Sequence, residues 1–483
     1  MTPMENGFKP ELHVLPLEDK EKIFNAALQV LENIGMQLFH DEAIALMERA
    51  GCNVVNERQT VRISREQVLK AIASAPENIP VYNREGEHVM DLGGRRAYFG
   101  TGSDLMYAFD ASKGERHLTG LTDIERAAQV CDALPNIDFI MSFAHPQELH
   151  PDVSYLESFQ CMALNSVKPI VNTAKDRNDL SAMWEISKIL RGSETDCRNK
   201  PYTIQYAEPI SPLKHPHSSV DKLIFCAEKE MPVIYSPAPI AGSTAPMTIA
   251  GHVVQGLAES LFGLVIHQLT NKGAPFLMGI GTAVLDMSTS QCSYNAPEYL
   301  MAYLATVEMS HHLNLPNWGY AGTSDAQIPD GQATFEAGLM SYMSLVTGSN
   351  LNHDVGYLDF GLTGSLEMVV IMDEVISQIR RMQQGIPVNE ETLAIQVIEE
   401  GAQQGEFLSH PHTLKHLRTT QWRPQLMNRL GHEQWDLSGR KDLLSRAREQ
   451  LKKIIKNHQT RQVAGDKALQ IQACVDRFRE KFL

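Results

Sequence analysis

The sequence predicts an α/β protein whose central part is a (β/α)8 TIM barrel. Eight short apolar runs recur within roughly 290 residues, and a segment with apolar residues at helical spacing follows each run. Both the number of these units and the length of the region fit such a barrel. A doubly wound sheet usually carries a glycine-rich phosphate loop after its first strand, whereas "GTGSD" offers only G-x-G. The barrel is therefore the preferred prediction.

Residues 1–95 precede the barrel and are predicted to form an α-rich extension. Apolar residues spaced by three and four continue from Leu17 to Gly51, which is expected to end the helical segment. A second short helix is predicted after Ser64, a favourable N-cap residue. The stretch "VYNREGEHVMDLGGRRAYFG" has the short runs and glycine turns of β structure.

The barrel itself is predicted to cover residues 96–386. Its eight candidate strands are the runs 97–104, 137–146, 168–174, 201–212, 231–240, 275–282, 316–325 and 350–359. Each run ends in small or polar residues, and helical patterns lie between the runs. Functional groups of such barrels lie at the carboxyl ends of the strands, so the ends of these runs define the expected mouth.

Residues 387–483 are predicted to form a C-terminal helical region. The stretches "DLLSRAREQLKKIIKNHQ" and "DKALQIQACVDRFREKFL" are charged amphipathic helices, a pattern typical of solvated faces or oligomer contacts. We expect a homo-oligomer.

Composition restricts the class of partner and the compartment. The formal net charge of −15 argues against nucleic acid or an anionic membrane as the main partner. Seven cysteines are scattered without a C-x-x-C motif, which favours a reducing cytosol over a disulfide framework. No secretory signal is visible, and no apolar run is expected to reach the length of a membrane-spanning helix. A soluble cytoplasmic protein is the expectation.

The expected mouth is rich in carboxylates, hydroxyls and aromatic rings. It lacks a Lys suited to a Schiff base and a Cys suited to nucleophilic attack, and the chain has no G-x-S-x-G motif. Acids with aromatic rings suit a cationic ligand, because ring faces attract quaternary ammonium and carboxylates add charge complementarity. For any single aromatic residue, ordinary packing is the simpler interpretation.

Two groups of histidines and acids allow a metal-binding alternative. His410, His412 and His416 have an H-x-H spacing with a third His, but a loop or helix N-terminus with solvated histidines is the preferred interpretation. At the mouth His145, Glu208, Asp325 and His353 could meet around a metal, although no local motif supports this. The preferred prediction is that the chain has no metal site.

Three stretches of the sequence resemble the trimethylamine methyltransferase (MttB) family. They read "GTSDAQIPDGQATFEAGLMSYMSLVTG", "NLNHDVGYLDFGLTGSLEMVVIMDEVI" and "FLSHPHTLKHLRTTQWRPQL". The resemblance implies a (β/α)8 barrel. Trimethylamine members of that family carry pyrrolysine near the loop "GTSDAQIPDGQ", whereas this chain has only standard residues, so it resembles the branch without pyrrolysine.

That branch is associated with demethylation of quaternary amines such as glycine betaine, proline betaine, carnitine or γ-butyrobetaine. The methyl group passes to the Co(I) corrinoid (cobalamin) of a separate small protein. A quaternary amine is already a permanent cation and leaves as a neutral tertiary amine, so the enzyme needs to position one N-methyl group and exclude water. The chain shows no D-x-H-x-x-G motif, and we expect the partner protein alone to carry the corrinoid.

The candidate site residues follow from the loop and from the strand ends. Asp325, Gln327 and Gln332 are the catalytic candidates because they lie in or beside the loop that resembles the pyrrolysine segment. The substrate-binding candidates are Gln205, Tyr206, Glu208, Asn352, His353, Asp354, Tyr357 and Phe360. Among these, His353, Asn352 or Gln205, or backbone N–H groups, could hold the substrate carboxylate.

Two other functions remain open at this point. One is a metal-dependent lyase or hydrolase at the same mouth. The other is a non-catalytic betaine-binding subunit that docks on a corrinoid protein.

Overall fold

The computed structural model of the chain describes residues 10–55, 59–111 and 113–482 and shows a mixed α/β protein. The N-terminal elements are α1 (Leu17–Gln29), a π-helix (Val30–Ile34), β1 (Met36–Leu38), α2 (Asp41–Arg49), β2 (Asn53–Val55), β3 (Thr60–Arg62), α3 (Arg65–Ser74), β4 (Ile79–Tyr82) and β5 (His88–Leu92). The expected α-rich segment with a following β segment is present, with more helices and strands than expected.

The predicted helical segment up to Gly51 is interrupted, which corrects the sequence-based expectation. Gly35 adopts a φ of 81°, and a Cβ there would lie 2.7 Å from the Val61 carbonyl oxygen. The chain therefore leaves the π-helix and forms β1, which pairs antiparallel with β3. This pairing is a tertiary contact that helical periodicity does not reveal.

The central region alternates strands with helices. Its strands are β6 (Tyr98–Phe99), β7 (Tyr107–Asp110), β8 (Glu115–Leu118), β9 (Ile170–Asn172), β10 (Thr203–Ala207), β11 (Lys214–His215), β12 (Val233–Tyr235), β13 (Phe276–Met278), β14 (Val284–Leu285), β15 (Cys292–Ser293), β16 (Trp318–Tyr320), β17 (Leu351–His353), β18 (Tyr357–Leu358) and β19 (Thr363–Gly364).

All eight predicted helices of this region are present at the predicted positions, together with one additional short helix. They are α4 (Leu121–Ala133), α5 (Ser154–Asn165), α6 (Arg177–Arg191), α7 (Glu194–Asn199), α8 (His217–Lys229), α9 (Ile249–Thr270), α10 (Pro297–His312), α11 (Gly331–Thr347) and α12 (Leu366–Gln383). Only the short α7 was not predicted, and it follows α6 directly.

The apolar strands form two parallel sheets, with the orders β9-β10-β12-β13 and β16-β17-β6. Isolated parallel bridges also join Met278 to Asn317, Gly100 to Phe139 and Ile140 to Ile170. Each of the eight apolar runs thus takes part in parallel pairing, although the run 137–146 contributes bridges rather than a full strand.

One apolar cluster brings together side chains from these strands and from the antiparallel β4–β5 hairpin. Its buried members are Ile79, Val81, Met90, Leu92, Phe139, Met141, Val171, Ile204, Ile234, Leu277, Trp318 and Leu351. Because nearly every strand contributes a side chain, the strands share one packed inner face. Alternate residues along each strand must then point toward the surrounding helices.

Helix α9 corrects the expectation that no apolar segment reaches membrane-spanning length. Among the described residues, this 22-residue helix alone has the length and apolar composition to cross a membrane. It is mostly buried in the fold, and α1, α3, α8 and α10 pack around it. A helix that is covered on all sides is apolar on all faces, which explains the composition.

The C-terminal region is helical, as predicted. It contains α13 (Glu390–Leu393), α14 (Ile395–Gln404), α15 (Pro411–Thr420), α16 (His432–Leu437), α17 (Leu443–Asn457) and α18 (Gly465–Phe482). Helix α17 packs on α4 and α12, whereas α18 packs on α5 and α6. The last two helices therefore cover helices of the central region.

Candidate active site

A cavity of about 310 Å³ lies at the carboxyl ends of the parallel strands. It is lined by Ser103, Asp104, Met141, Tyr206, Glu208, Ala238, Gly281, Thr282, Ala283, Tyr294, Tyr299, Trp318, Tyr320, His353, Asp354, Tyr357 and Gly361. The predicted mouth is thus a real cavity. Its volume is at the lower end of the roughly 300–1,000 Å³ that ligand pockets span, which suits a compact ligand.

Aromatic rings form a continuous wall on one side of this cavity. Tyr299 contacts both Tyr294 and Tyr320, with ring centroids 5.5 and 5.8 Å apart. The His353 ring lies 4.7 Å from Tyr320 and stacks on Trp318 at 4.1 Å. Trp318 in turn lies 6.0 Å from a fourth tyrosine, Tyr206. Electron-rich ring faces arranged in this way attract a cation without hydrogen bonds, as a quaternary ammonium group requires.

Three carboxyl groups, from Asp104, Glu208 and Asp354, line the same cavity. Glu208 accepts a hydrogen bond from the Tyr206 hydroxyl at 2.8 Å, and Asp104 accepts one from the Ser103 hydroxyl at 2.9 Å. Asp104 and Asp354 both have left-handed backbone conformations, with φ of 64° and 79°. Such strained positions in residues other than glycine cluster at functional sites.

A close backbone approach makes room for this arrangement. A Cβ on Gly102 would lie 2.2 Å from the Asp354 carboxyl and 2.3 Å from the Tyr357 hydroxyl. The Tyr357 hydroxyl donates a hydrogen bond to the Ser103 carbonyl oxygen at 2.5 Å. Glycine at position 102 therefore lets Asp354 and Tyr357 pack directly against the loop that follows β6.

Burial controls the protonation of the cavity groups. It raises the pKa of Asp354 well above its usual value, and it lowers the pKa of His353 to about 3. The Asp354 carboxyl lies 3.3 Å from Nε2 of His353, and burial favours the uncharged form of each group. Glu208 is exposed toward the cavity opening, yet the surrounding protein still raises its pKa. The carboxyl groups of Asp354 and Glu208 can therefore become negatively charged when a cation enters.

Five of the predicted substrate-binding residues line the cavity and three do not. Tyr206, Glu208, His353, Asp354 and Tyr357 are lining residues. The remaining three have other surroundings.

Gln205 and Asn352 are buried on the opposite faces of β10 and β17, toward the helices. Gln205 accepts a hydrogen bond from the Asn172 amide, and Asn352 accepts one from the Tyr303 hydroxyl. The strand alternation that brings Tyr206 and His353 inward turns these amides outward. Phe360 is half-buried beside the mouth but does not line the cavity.

Asp325 lies behind the aromatic wall rather than in the cavity. Its buried carboxylate accepts hydrogen bonds from the backbone N–H groups of Tyr294 and Asn295, at 3.0 and 3.3 Å, and from the Ser293 hydroxyl. Asp325 thus fixes the segment that carries Tyr294. It is a positioning residue in this arrangement.

Gln327 and Gln332 are exposed on the outer side of the same loop. The Gln327 amide donates to the Asp325 carbonyl oxygen, and the Gln332 amide donates to Glu336. Glu336 also accepts hydrogen bonds from the Ser324 hydroxyl and the Asp325 N–H. The loop is therefore anchored on α11, and neither glutamine reaches the cavity.

Sequence reasoning missed four aromatic members of the wall. Trp318 and Tyr320 alternate along the run "PNWGYAGTSD", and this period of two could have placed both on the inner face. Tyr294 and Tyr299 come after the β14–β15 hairpin, which no periodicity indicated. Their inward position depends on tertiary contacts such as those of Asp325.

The metal-binding alternatives find no support in the arrangement of side chains. Within residues 10–55, 59–111 and 113–482, no group of three or more His, Cys, Asp or Glu side chains is placed to hold a metal ion. His410 instead caps α15 and lies 3.0 Å from Glu400. This agrees with the interpretation of that cluster as a helix N-terminus.

Comparison with known proteins identifies the family of the chain. The sequence model of the trimethylamine methyltransferase (MTTB) family matches residues 2–482. The trimethylamine methyltransferase MttB of Desulfitobacterium hafniense (strain DSM 10664 / DCB-2) is 29% identical over 91% of this chain and 89% of its own length. The glycine betaine methyltransferase of Desulfitobacterium hafniense (strain Y51) is 27% identical over 88% of this chain and 89% of its own.

Among solved structures, the monomethylamine methyltransferase MtmB of Methanosarcina barkeri aligns with 90% of this chain and 92% of its own, with a TM-score of 0.48 and 13% identity. The match to the family model covers nearly the whole chain, and the sequence contains only the twenty standard residues. The chain therefore belongs to the trimethylamine methyltransferase (MttB) family, in its branch without pyrrolysine.

Proposed function

We propose that this protein transfers a methyl group from a quaternary amine to the Co(I) corrinoid of a separate protein. The observation that carries the proposal is the cavity, in which five tyrosine rings, one tryptophan ring and three carboxyl groups surround one space. That combination binds a permanent cation. The curated relatives are trimethylamine and glycine betaine methyltransferases, which supports methyl transfer from an amine.

We also propose that the two parallel sheets are arcs of one closed (β/α)8 barrel, with residues 1–95 and 387–483 as additions to a catalytic domain of residues 96–386. The bridges Gly100–Phe139, Ile140–Ile170 and Met278–Asn317 support closure, because they join the ends of the two sheets through residues 137–146 and 316–325. The cavity then lies where barrel enzymes carry their active sites.

In this proposal the protein contributes binding and orientation. The rings of Trp318, Tyr320 and Tyr294 hold the ammonium group, and Glu208 and Asp354 balance its charge. Exclusion of water from the cavity strengthens these interactions. One N-methyl group then faces the opening, where the partner's cobalt supplies the nucleophile. The amine leaves as a neutral tertiary amine, so no general acid is required.

Exposed apolar side chains surround the mouth and support a protein partner there. Six loops that follow strands each carry one, namely Met106, Ile210, Met247, Met287, Ile328 and Leu362. Since all six loops follow the carboxyl ends of parallel strands, they lie on one face of the molecule. Exposed apolar residues grouped in this way mark interaction sites, and we propose that Gln327 and Gln332 contact the partner on the same face.

We propose further that the protein forms a homo-oligomer. Large apolar side chains are exposed on and beside α13, α14 and α15, for example Ile386, Val388, Ile395, Leu408 and Leu414. This surface is distinct from the mouth, so self-association through it would leave the cavity open to the partner protein.

The test is methyl transfer with a cognate corrinoid protein reduced to Co(I). The absorbance of the methylated corrinoid should rise with a quaternary amine and not with trimethylamine, because only the quaternary amine has a good leaving group without further activation. Glycine betaine, proline betaine, carnitine, γ-butyrobetaine and choline form the panel. Transfer from trimethylamine alone would contradict the proposal, as would ligand binding without any transfer.

A further inference from the structure

The side chains of the cavity wall can carry negative charge but hardly any positive charge. Asp104, Glu208 and Asp354 line it, and none of the described lining residues is Lys or Arg. The imidazole of His353 carries no charge at neutral pH, because burial lowers its pKa to about 3. Any charged group that the wall presents to a ligand at neutral pH is therefore negative.

Two basic side chains lie near these carboxyl groups but outside the lining. The amine of Lys222, whose charge influences Glu208, donates to the Ala174 carbonyl oxygen at 2.8 Å. His145 lies 3.9 Å from Asp104. Each has a protein partner, and neither is among the lining residues. The imidazole that lies 3.3 Å from Asp354 is the uncharged ring of His353.

Two kinds of quaternary amine would meet this wall differently. A fixed cation cannot lose its charge on burial, so a compensating negative charge must come from the protein or from the ligand itself. A betaine brings its own carboxylate, which would meet carboxyl groups and no cationic side chain. A ligand with a net positive charge is instead attracted by the wall's carboxylates, and it has no carboxylate of its own that they would repel.

We infer that the cavity selects a quaternary ammonium ion of net positive charge, such as choline or tetramethylammonium, over zwitterionic betaines. The inference rests on the proposed function and narrows its substrate class. The small cavity volume of about 310 Å³ agrees with a compact ion. The residues that determine the selectivity are Asp104, Glu208 and Asp354.

Choline and glycine betaine form a matched pair for the test, since they differ only in a hydroxymethyl group against a carboxylate. Isothermal titration calorimetry on the full chain, without the corrinoid partner, measures both affinities. Choline should bind at least about tenfold more tightly, because the like charge of the betaine is penalised in the cavity. Equal or tighter binding of glycine betaine would overturn the inference, and so would the absence of choline binding at millimolar concentration.

Variants assign the selectivity to the cavity carboxyls. Glu208→Gln and Asp354→Asn remove a potential charge with little change of size, and each should reduce the preference for choline over glycine betaine several-fold. Asp286→Asn is the matched control, because Asp286 is an exposed acid in the β14–β15 turn that contacts Ser288 and does not line the cavity. An unchanged preference in both cavity variants would overturn the assignment. If a variant does not fold, the affinities of the natural chain for the two ligands still decide whether the cavity prefers choline.

Turnover separates this inference from the proposed function. If choline and tetramethylammonium methylate the corrinoid partner faster than the betaines do, both are supported. If glycine betaine is the preferred methyl donor, the proposed function stands and the substrate inference fails. If no quaternary amine donates a methyl group, the proposed function itself fails, whatever the calorimetry shows.

Discussion

At the scale of single residues, Trp318 and His353 show how strand alternation shapes the site. Trp318 and Tyr320 face inward on β16, as His353 does on β17, so the His353 ring stacks on Trp318 and lies at a tilt against Tyr320. Nδ1 of His353 lies 2.7 Å from the Gly319 carbonyl oxygen, which holds the ring in place. The imidazole therefore acts as part of the aromatic wall, in agreement with its lowered pKa.

Tyr294 provides a test of cation–π attraction in this wall. Tyr294→Ala should weaken quaternary ammonium binding roughly tenfold, because a desolvated cation–π contact contributes about 1–2 kcal/mol. Tyr294→Phe keeps the ring and should bind nearly as well as the natural protein. Calorimetry with choline or tetramethylammonium measures both. Equal losses in the two variants would mean that the hydroxyl, and not the ring, holds the ligand.

The raised pKa of Asp354 predicts that cation affinity increases with pH. In the free protein this carboxyl keeps its proton above the usual aspartate value of 3.8, whereas a bound cation favours the ionised form. Binding should therefore release protons and become tighter as the pH rises through the raised pKa. Glu208, with its raised pKa, adds to the same trend. Loss of a proton from His145 or Lys222 would also make the surroundings more negative.

Calorimetry in buffers with different ionisation enthalpies measures the proton release directly. Asp354→Asn should reduce both the release and the pH dependence of the affinity. The same shift implies that the ligand-free protein loses stability as the pH rises through this pKa, because the folded state holds the proton more firmly than the unfolded chain does. A pH-independent affinity from mildly acidic to mildly alkaline conditions would contradict this assignment.

At the scale of elements, the positions of strands and helices in the central region are largely predictable from the sequence. Short apolar runs bounded by Gly, Pro and polar residues indicate buried parallel strands, and each of the eight runs pairs in parallel. The β1 strand was not predictable, because it depends on pairing with the distant β3 and β11. The inward or outward direction of Gln205 and Asn352 depended on the register of the strands, which their position in the runs did not fix.

The loop of residues 322–332 affects the cavity indirectly, through the neighbouring segment that carries Tyr294. Because Asp325 holds the segment that carries Tyr294, Asp325→Asn should weaken ligand binding and lower the thermal stability. The change replaces an acceptor of buried N–H groups, which costs about 1–3 kcal/mol. Asp330→Asn is the control in the same loop, since asparagine also caps a helix N-terminus and Asp330 caps α11. Thermal melts and calorimetry should separate the two, and indistinguishable behaviour would remove Asp325 from its positioning role.

If the rim of the mouth binds the corrinoid protein, changes at the rim should alter the KM for that protein and leave the affinity for the quaternary amine nearly unchanged. Met247 and Met287 are exposed and lie close together, with side-chain atoms of both within 4 Å of a Cβ built on Gly242. Met247→Glu combined with Met287→Glu should raise the KM for the corrinoid protein while the calorimetric affinity for the quaternary amine changes little. An unchanged KM for the corrinoid protein would place the docking surface elsewhere.

At the scale of the whole molecule, the fold places a cavity lined by aromatic rings and carboxyl groups at one end of the parallel strands, with helices around their sides. The N-terminal elements and α17 and α18 cover other parts of this core. Under the proposed function, the loop that resembles the pyrrolysine segment needs no group that activates the substrate, because a quaternary amine is already a permanent cation. The chain would then supply the shaped cavity, and the partner protein would supply the nucleophile.

The most direct test of this account follows the methyl group itself. A quaternary amine with isotope-labelled N-methyl groups is mixed with the protein and the Co(I) form of the corrinoid partner, and both products are measured in one turnover. The account predicts one labelled methyl group on the corrinoid for each tertiary amine released, and no transfer from labelled trimethylamine. Label that stays on every quaternary amine tested, or that moves only from trimethylamine, would contradict it.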